Sequence, residues 1–93
     1  MSMDIYSSSD KKNPLVSLSG SDIRSIEKAI SMLKEKTGVY LDPYGTTKIY
    51  PDHGKILLSI IVNNKEKTKT IMRFMDIINE YITKNDILIF EGD

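Results

Sequence analysis

Apolar positions along this chain follow two different periods, and the alternation between them lays out the elements. Ile23, Ile26, Ile30 and Leu33 fall at i, i+3, i+7 and i+10, one face of a helix. Ala29 widens that face, Arg24, Glu27, Lys28, Lys34 and Glu35 point elsewhere, and Met32 joins the isoleucines as core. Ser19 stands three residues before Asp22 with Ser21 as a second possible cap, and Gly38 is the left-handed stop. One continuous helix is expected between them. A second stripe, Ile71, Met75, Ile78 and Ile82, is broadened by Phe74, Ile77 and Tyr81. Asn63 or Asn64 is the expected cap of this helix and Asn85 its stop.

Elsewhere the pattern is that of strands. Residues 14–18 alternate towards their end, with Pro14 at a strand's tolerated first position. Residues 86–93 are almost continuously apolar through Phe90, the mark of an interior strand. Met1 to Asn13, with Ser7-Ser8-Ser9 and Lys11-Lys12, is polar and reads as a tail (residues 1–13), carrying at most a short edge strand at Asp4-Ile5-Tyr6. Residues 14–93 then form a single α/β domain.

Between the helices lies a stretch, 38–54, that gathers three of the five glycines, two of the three prolines, three of the five tyrosines and the one histidine. Val39-Tyr40-Leu41 favours a strand, Asp42-Pro43-Tyr44-Gly45 fits a type I turn, and Thr46 to Tyr50 is rich in β-branched and aromatic residues. The expectation is an antiparallel hairpin. Its tyrosines read first as half-buried packing residues and second as interface anchors. The following run, 55–62, is ambiguous. As a strand it would be buried on both faces; as a helix, Pro51 takes the first position, Asp52 the first turn, and Gly54 counts against it by about 1 kcal/mol.

Composition narrows the chemistry. Ninety-three residues suffice for one domain with a modest core. The absence of cysteine excludes disulfides and thiolate chemistry and suits a reducing cytoplasm. No apolar run is long enough to span a bilayer, and no leader is expected. Thirteen basic and thirteen acidic residues cancel, which argues against a strong polyanion binder. Lys65, Lys69 and Arg73 nonetheless stand one helical turn apart, either a solvated face compensated by Glu66 or a stripe facing an acidic partner. His53, in a Pro-Asp-His-Gly context, reads as a turn or helix start rather than a base, and neither a metal-ligand cluster nor a phosphate loop is visible. No catalytic residue, metal or cofactor is expected, so the chain reads as a non-enzyme.

The blocks Leu41-Asp42-Pro43-Tyr44-Gly45-Thr46-Thr47 and Leu88-Ile89-Phe90-Glu91-Gly92-Asp93 resemble a group of small bacterial proteins with an apolar-D-P-Y-G-[D/T]-T block and a terminal apolar-F-x-G-D. Some of these look like immunity proteins of polymorphic or contact-dependent toxin systems. The resemblance covers two short blocks, and Thr46 replaces a frequent Asp. It implies a helix over 51–62 and a cognate toxin domain as partner. The expected architecture is therefore α/β (α+β), a small mixed sheet with helices on one face in the order β-α-β-β-α-α-β. The alternative is a ferredoxin-like sandwich, β-α-β-β-β-α-β, with 55–62 as a strand. Three functions compete: an immunity-type inhibitor, a nucleic-acid module stacking bases on Tyr40, Tyr44 or Tyr50, and a regulatory module dimerising through a strand edge. The expected partner surface comprises Asp42, Tyr44 and His53, with Tyr40 and Tyr50 beside them and Lys65, Lys69 and Arg73 as a second patch.

Overall fold

The computed structural model describes residues 2–64 and 67–92. In chain order the elements are β1 (Met3–Ser7), β2 (Val16–Leu18), α1 (Gly20–Ser25), α2 (Glu27–Thr37), β3 (Thr46–Ile49), α3 (Pro51–Ile61), α4 (Lys69–Thr83) and β4 (Leu88–Gly92). The class is α/β as expected, but the sheet is wholly antiparallel rather than mixed, ordered β2-β1-β4-β3.

The expected N-terminal tail is corrected first. Residues 3–7 form an interior strand, flanked by β2 and by β4. Met3, Ile5 and Ser7 are buried, while Asp4 and Tyr6 alternate onto the other face. That period of two was present in the sequence, hidden by its polar members and its terminal position. Asp10 shapes the return to β2: its carboxylate accepts from the backbone N–H groups of Lys12 and Asn13. Leu15 N–H then donates to the Ile5 carbonyl, fixing the register.

The expected single first helix is two. Ser25 Oγ donates to the Asp22 carbonyl at 2.7 Å, competing with the backbone ladder. Ile26 leaves helical geometry (φ −113°, ψ 15°), and the Ser25 carbonyl accepts from Asn64 Nδ2 at 2.9 Å. Asn64 therefore serves the α1–α2 break and the end of α3 rather than capping α4. The cap of α4 is Thr68, whose hydroxyl accepts from Ile71 N–H. The expected stops at Gly38 (φ 80°) and Asn85 (φ 56°) both adopt the left-handed conformation.

Residues 51–61 are a helix, with Pro51 at its start. Gly54 is buried, and a β-carbon there would meet Ile82 Cγ1 at 3.4 Å and Ile78 Cγ2 at 3.6 Å, ordinary packing distances. The ferredoxin-like alternative, which needs a strand here, is thereby set aside. Val39-Tyr40-Leu41 is not a strand, so the expected hairpin is replaced by an irregular segment, a turn and a single edge strand, β3, paired only with β4.

One core joins the helices to the inner sheet face. Ile26, Ile30, Ile78 and Phe90 are buried in it and Met75 packs against it. Phe74 meets Phe90 edge to face with ring centroids 5.7 Å apart. The outer face of the sheet carries Ser17 donating to Asp4 at 2.6 Å, and Ile89, which is buried and flanked in register by Tyr6 and Lys48. Asp22 ties two helix starts together. Its carboxylate accepts from Ser19 N–H and Oγ in a capping box, and from Thr68 Oγ1, the cap of α4, at 3.0 Å.

Burial pushes the Asp22 pKa up, but hydrogen bonds from Ser19 and Thr68 outweigh it and hold the carboxyl below its ordinary value. A depressed folded-state pKa stabilises above the unfolded value of about 3.9 and loses that contribution as pH falls through the folded value. Asp22→Asn, which turns an acceptor into a donor beside donors, is expected to cost roughly 1–2 kcal/mol at pH 7. Urea denaturation should show the gap between wild type and variant narrowing below about pH 4. Gly54→Ala is expected to raise stability by about 0.5–1 kcal/mol, because helix propensity improves where a methyl group fits. A lowered urea midpoint for Gly54→Ala would mean that α3 and α4 cannot admit it.

Candidate functional site

The turn at 42–45 is built by its own side chain and backbone. Gly45 N–H donates to the Asp42 carbonyl at 3.3 Å, and Tyr44 N–H donates to Asp42 Oδ1 at 2.9 Å. A β-carbon on Gly45 would stand 2.9 Å from Asp42 Oδ2. Asp42 thus holds the turn. From the other side the turn rests on the end of β4. Gly92 N–H donates to the Gly45 carbonyl at 2.8 Å. A β-carbon on Gly92 would overlap the Pro43 carbonyl and lie 2.8 Å from the Tyr44 nitrogen. The two sequence blocks that carry the resemblance are in direct contact.

This seating leaves Tyr44 at the tip, 70% exposed. Tyr40 is exposed beside it, with Lys34 Nζ 5.0 Å from its ring centroid. Thr47 Oγ1 donates to the Tyr40 carbonyl at 3.2 Å and fastens the irregular segment to β3. Beside Tyr40 a cavity of about 240 Å³ lies between the first two helices and the 40–43 segment. Buried Ile23, Ile30 and Leu41 form its apolar wall, with Pro43 and Tyr40 at one side and Glu27 at the other.

Tyr50 and His53 lie elsewhere. Tyr50 precedes α3, half exposed, and meets the His53 ring edge-on with centroids 6.3 Å apart. His53 is half-buried, and its Nδ1 is buried with no hydrogen-bond partner among the described residues. At about 3.3 Å per residue, β3 separates Tyr50 from Tyr44 by roughly 15–20 Å. The expected patch of Asp42, Tyr44 and His53 is therefore divided: Tyr40 and Tyr44 share one end of β3, Tyr50 and His53 the other. Of the three tyrosines in this stretch, Tyr40 and Tyr50 are about half-buried, as packing residues would be, and Tyr44 is 70% exposed.

The basic stripe is not part of either group. Lys69 and Arg73 are exposed on α4, which starts beside Asp22 and packs on β2, the edge opposite β3. Lys65 lies outside the described residues. Among the described residues the ion pair is Lys84–Glu80, at 3.7 Å and exposed, a contact of little energetic weight. No group of three or more His, Cys, Asp or Glu among the described residues could hold a metal ion, and no helix among them is long and apolar enough to cross a membrane.

Sequence reasoning missed one surface. Met32, read as core, is 40% exposed and lines a cavity of about 380 Å³ between α2 and α3. The spacing of Lys28, Met32 and Lys36 at i, i+4 and i+8 was the available signal. No family model, curated protein or solved structure matches the chain.

The contact under the turn separates two substitutions that sequence distance would not. Gly92→Ala forces the turn off β4 and is expected to cost about 3 kcal/mol in urea denaturation. Tyr44→Ala removes an exposed ring and should stay within about 0.5 kcal/mol of wild type. Equal midpoints for the two variants would show that the turn is not seated on Gly92.

Proposed function

We propose that this chain is an immunity-type protein that acts in the cytoplasm by binding, and that it neutralises a cognate bacterial toxin domain by covering it. The observation that carries the reading is the placement of Tyr44. It stands almost free at the tip of a turn held by Asp42 from within and by Gly92 from beneath. A ring on a rigid support loses little freedom on binding, and tyrosine supplies contact area with two side-chain torsions. Tyr40 and the cavity walled by Ile23, Ile30 and Leu41 extend the surface towards the first two helices. An interface of ordinary size covers about 800 Å² on each partner, more than a turn offers by itself, so the helical wall is part of the site.

The competing readings have less support. Base stacking on tyrosines and phosphate contacts from lysines would belong on one surface, whereas Lys69 and Arg73 stand on α4, an element that does not line the cavity beside Tyr40. Dimerisation through a strand edge would use β2 or β3, of three and four residues. Both are short, and β3 presents exposed Lys48 and is fastened on Thr47 by the Tyr40 carbonyl.

The test is co-expression with the toxin domain encoded beside the gene, followed by calorimetry on the purified pair. Tyr44→Ala is expected to weaken the complex by about 2 kcal/mol, roughly 30-fold, with the melting temperature unchanged. Lys69→Glu with Arg73→Glu should leave the affinity within a factor of about three. Full affinity in a Tyr40→Ala, Tyr44→Ala double variant would move the binding surface away from the turn. Absence of any complex with the neighbouring domain would remove the immunity reading.

A further inference from the structure

The cavity between α2 and α3 has a chemistry of its own. Its floor is Ala29, Met32 and Ile60, of which Met32 is exposed. Lys28 and Lys36 stand on α2 at either side of Met32, and Asn63 and Ser59 face them from the end of α3. Eight residues of helix place the two lysines about 12 Å apart. Among the described residues no acidic side chain lines the cavity. Neither lysine has an ion-pair partner among the described residues.

The end of α3 would ordinarily oppose an anion here, because helix C-termini carry partial negative charge. That field is already countered. Lys67 Nζ donates to the Val62 carbonyl at 2.7 Å, and the Ile60 and Ile61 carbonyls accept from the N–H groups of Asn63 and Asn64. What faces solvent is an apolar trough with a positive charge near each end.

We infer that this trough docks an acidic amphipathic helix of a partner protein, with two carboxylates meeting Lys28 and Lys36 and an apolar side chain between them on Met32. Carboxylates at i and i+7 or i+8 of such a helix span about 10–12 Å, which matches the lysine spacing. Met32 suits the central position, because an unbranched thioether adapts to the shape it receives. A nucleic acid fits less well, since the floor holds no aromatic ring for a base to stack on. The surface is separate from Tyr40 and Tyr44, and the inference does not depend on the function proposed above.

The experiment is an amide chemical-shift titration of the whole chain with a synthetic helical peptide of roughly 15 residues. The peptide carries glutamates at i and i+8 with leucine midway, and a control replaces both glutamates by glutamine. Saturable shifts are expected at Ala29, Met32, Ile60, Asn63 and Asn64, weakening as salt rises. Lys28→Glu with Lys36→Glu, and separately Met32→Glu, should each reduce affinity about tenfold or more, while amides away from α2 and α3 keep their positions. The inference is overturned by equal binding of the glutamine peptide. It is likewise overturned by shifts centred on Tyr40 and Tyr44, by an oligonucleotide that saturates the same amides more tightly, or by no saturation at millimolar peptide.

Discussion

Gly92 has no side chain, and for that reason the backbone of Pro43 and Tyr44 can lie directly on the end of β4. The N–H of Gly92 then reaches the Gly45 carbonyl, so the β3–β4 ladder runs on into the turn instead of ending at Glu91. Any larger residue would push Pro43 away. Residues nearly fifty positions apart are thereby closed into one unit. Because the ends of β3 are set by this contact on one side and by Pro51 on the other, the direction in which α3 leaves the sheet follows from it.

The helical layer is organised by a second polar constraint. Asp22 satisfies donors at the start of α1 and binds the cap of α4, so two chain segments far apart in sequence share one buried carboxylate. Breaking the first helix at Ile26 leaves the Ser25 carbonyl open, and Asn64 from the end of α3 donates to it. These hydrogen bonds link α1, α3 and α4 around an apolar core that by itself specifies volume rather than direction. Two faces of α2 line the two cavities: Glu27, Ile30 and Ser31, with Ile23 of α1, border the one beside Tyr40, and Lys28, Ala29, Met32 and Lys36 the trough beside α3.

The fold leaves two cavities at its surface. Tyr40 borders a cavity walled by Ile23, Ile30 and Leu41, Tyr44 stands exposed at the neighbouring turn, and Met32 stands between two lysines on another face of α2. Both cavities carry an exposed side chain, Tyr40 in one and Met32 in the other. The His53 ring meets the Tyr50 ring edge-on at the start of α3.

Local signals written in neighbouring residues were legible from the sequence alone. The capping box at Ser19 and Asp22, the left-handed stops at Gly38 and Asn85, the Asp42–Gly45 turn and the apolar stripes of the helices each depend on contacts within a few positions. The α/β class followed from them. The interior place of β1, the loss of a strand at 39–41 and the break at Ile26 depended on partners that are distant in the chain: β4 for β1, Thr47 for Tyr40 and Asn64 for Ser25. The same holds for the candidate site. Tyr44 was legible because a turn tip is exposed by its own geometry. Met32 was misjudged because burial is decided by which helix arrives alongside, and a periodic pattern carries no record of that neighbour.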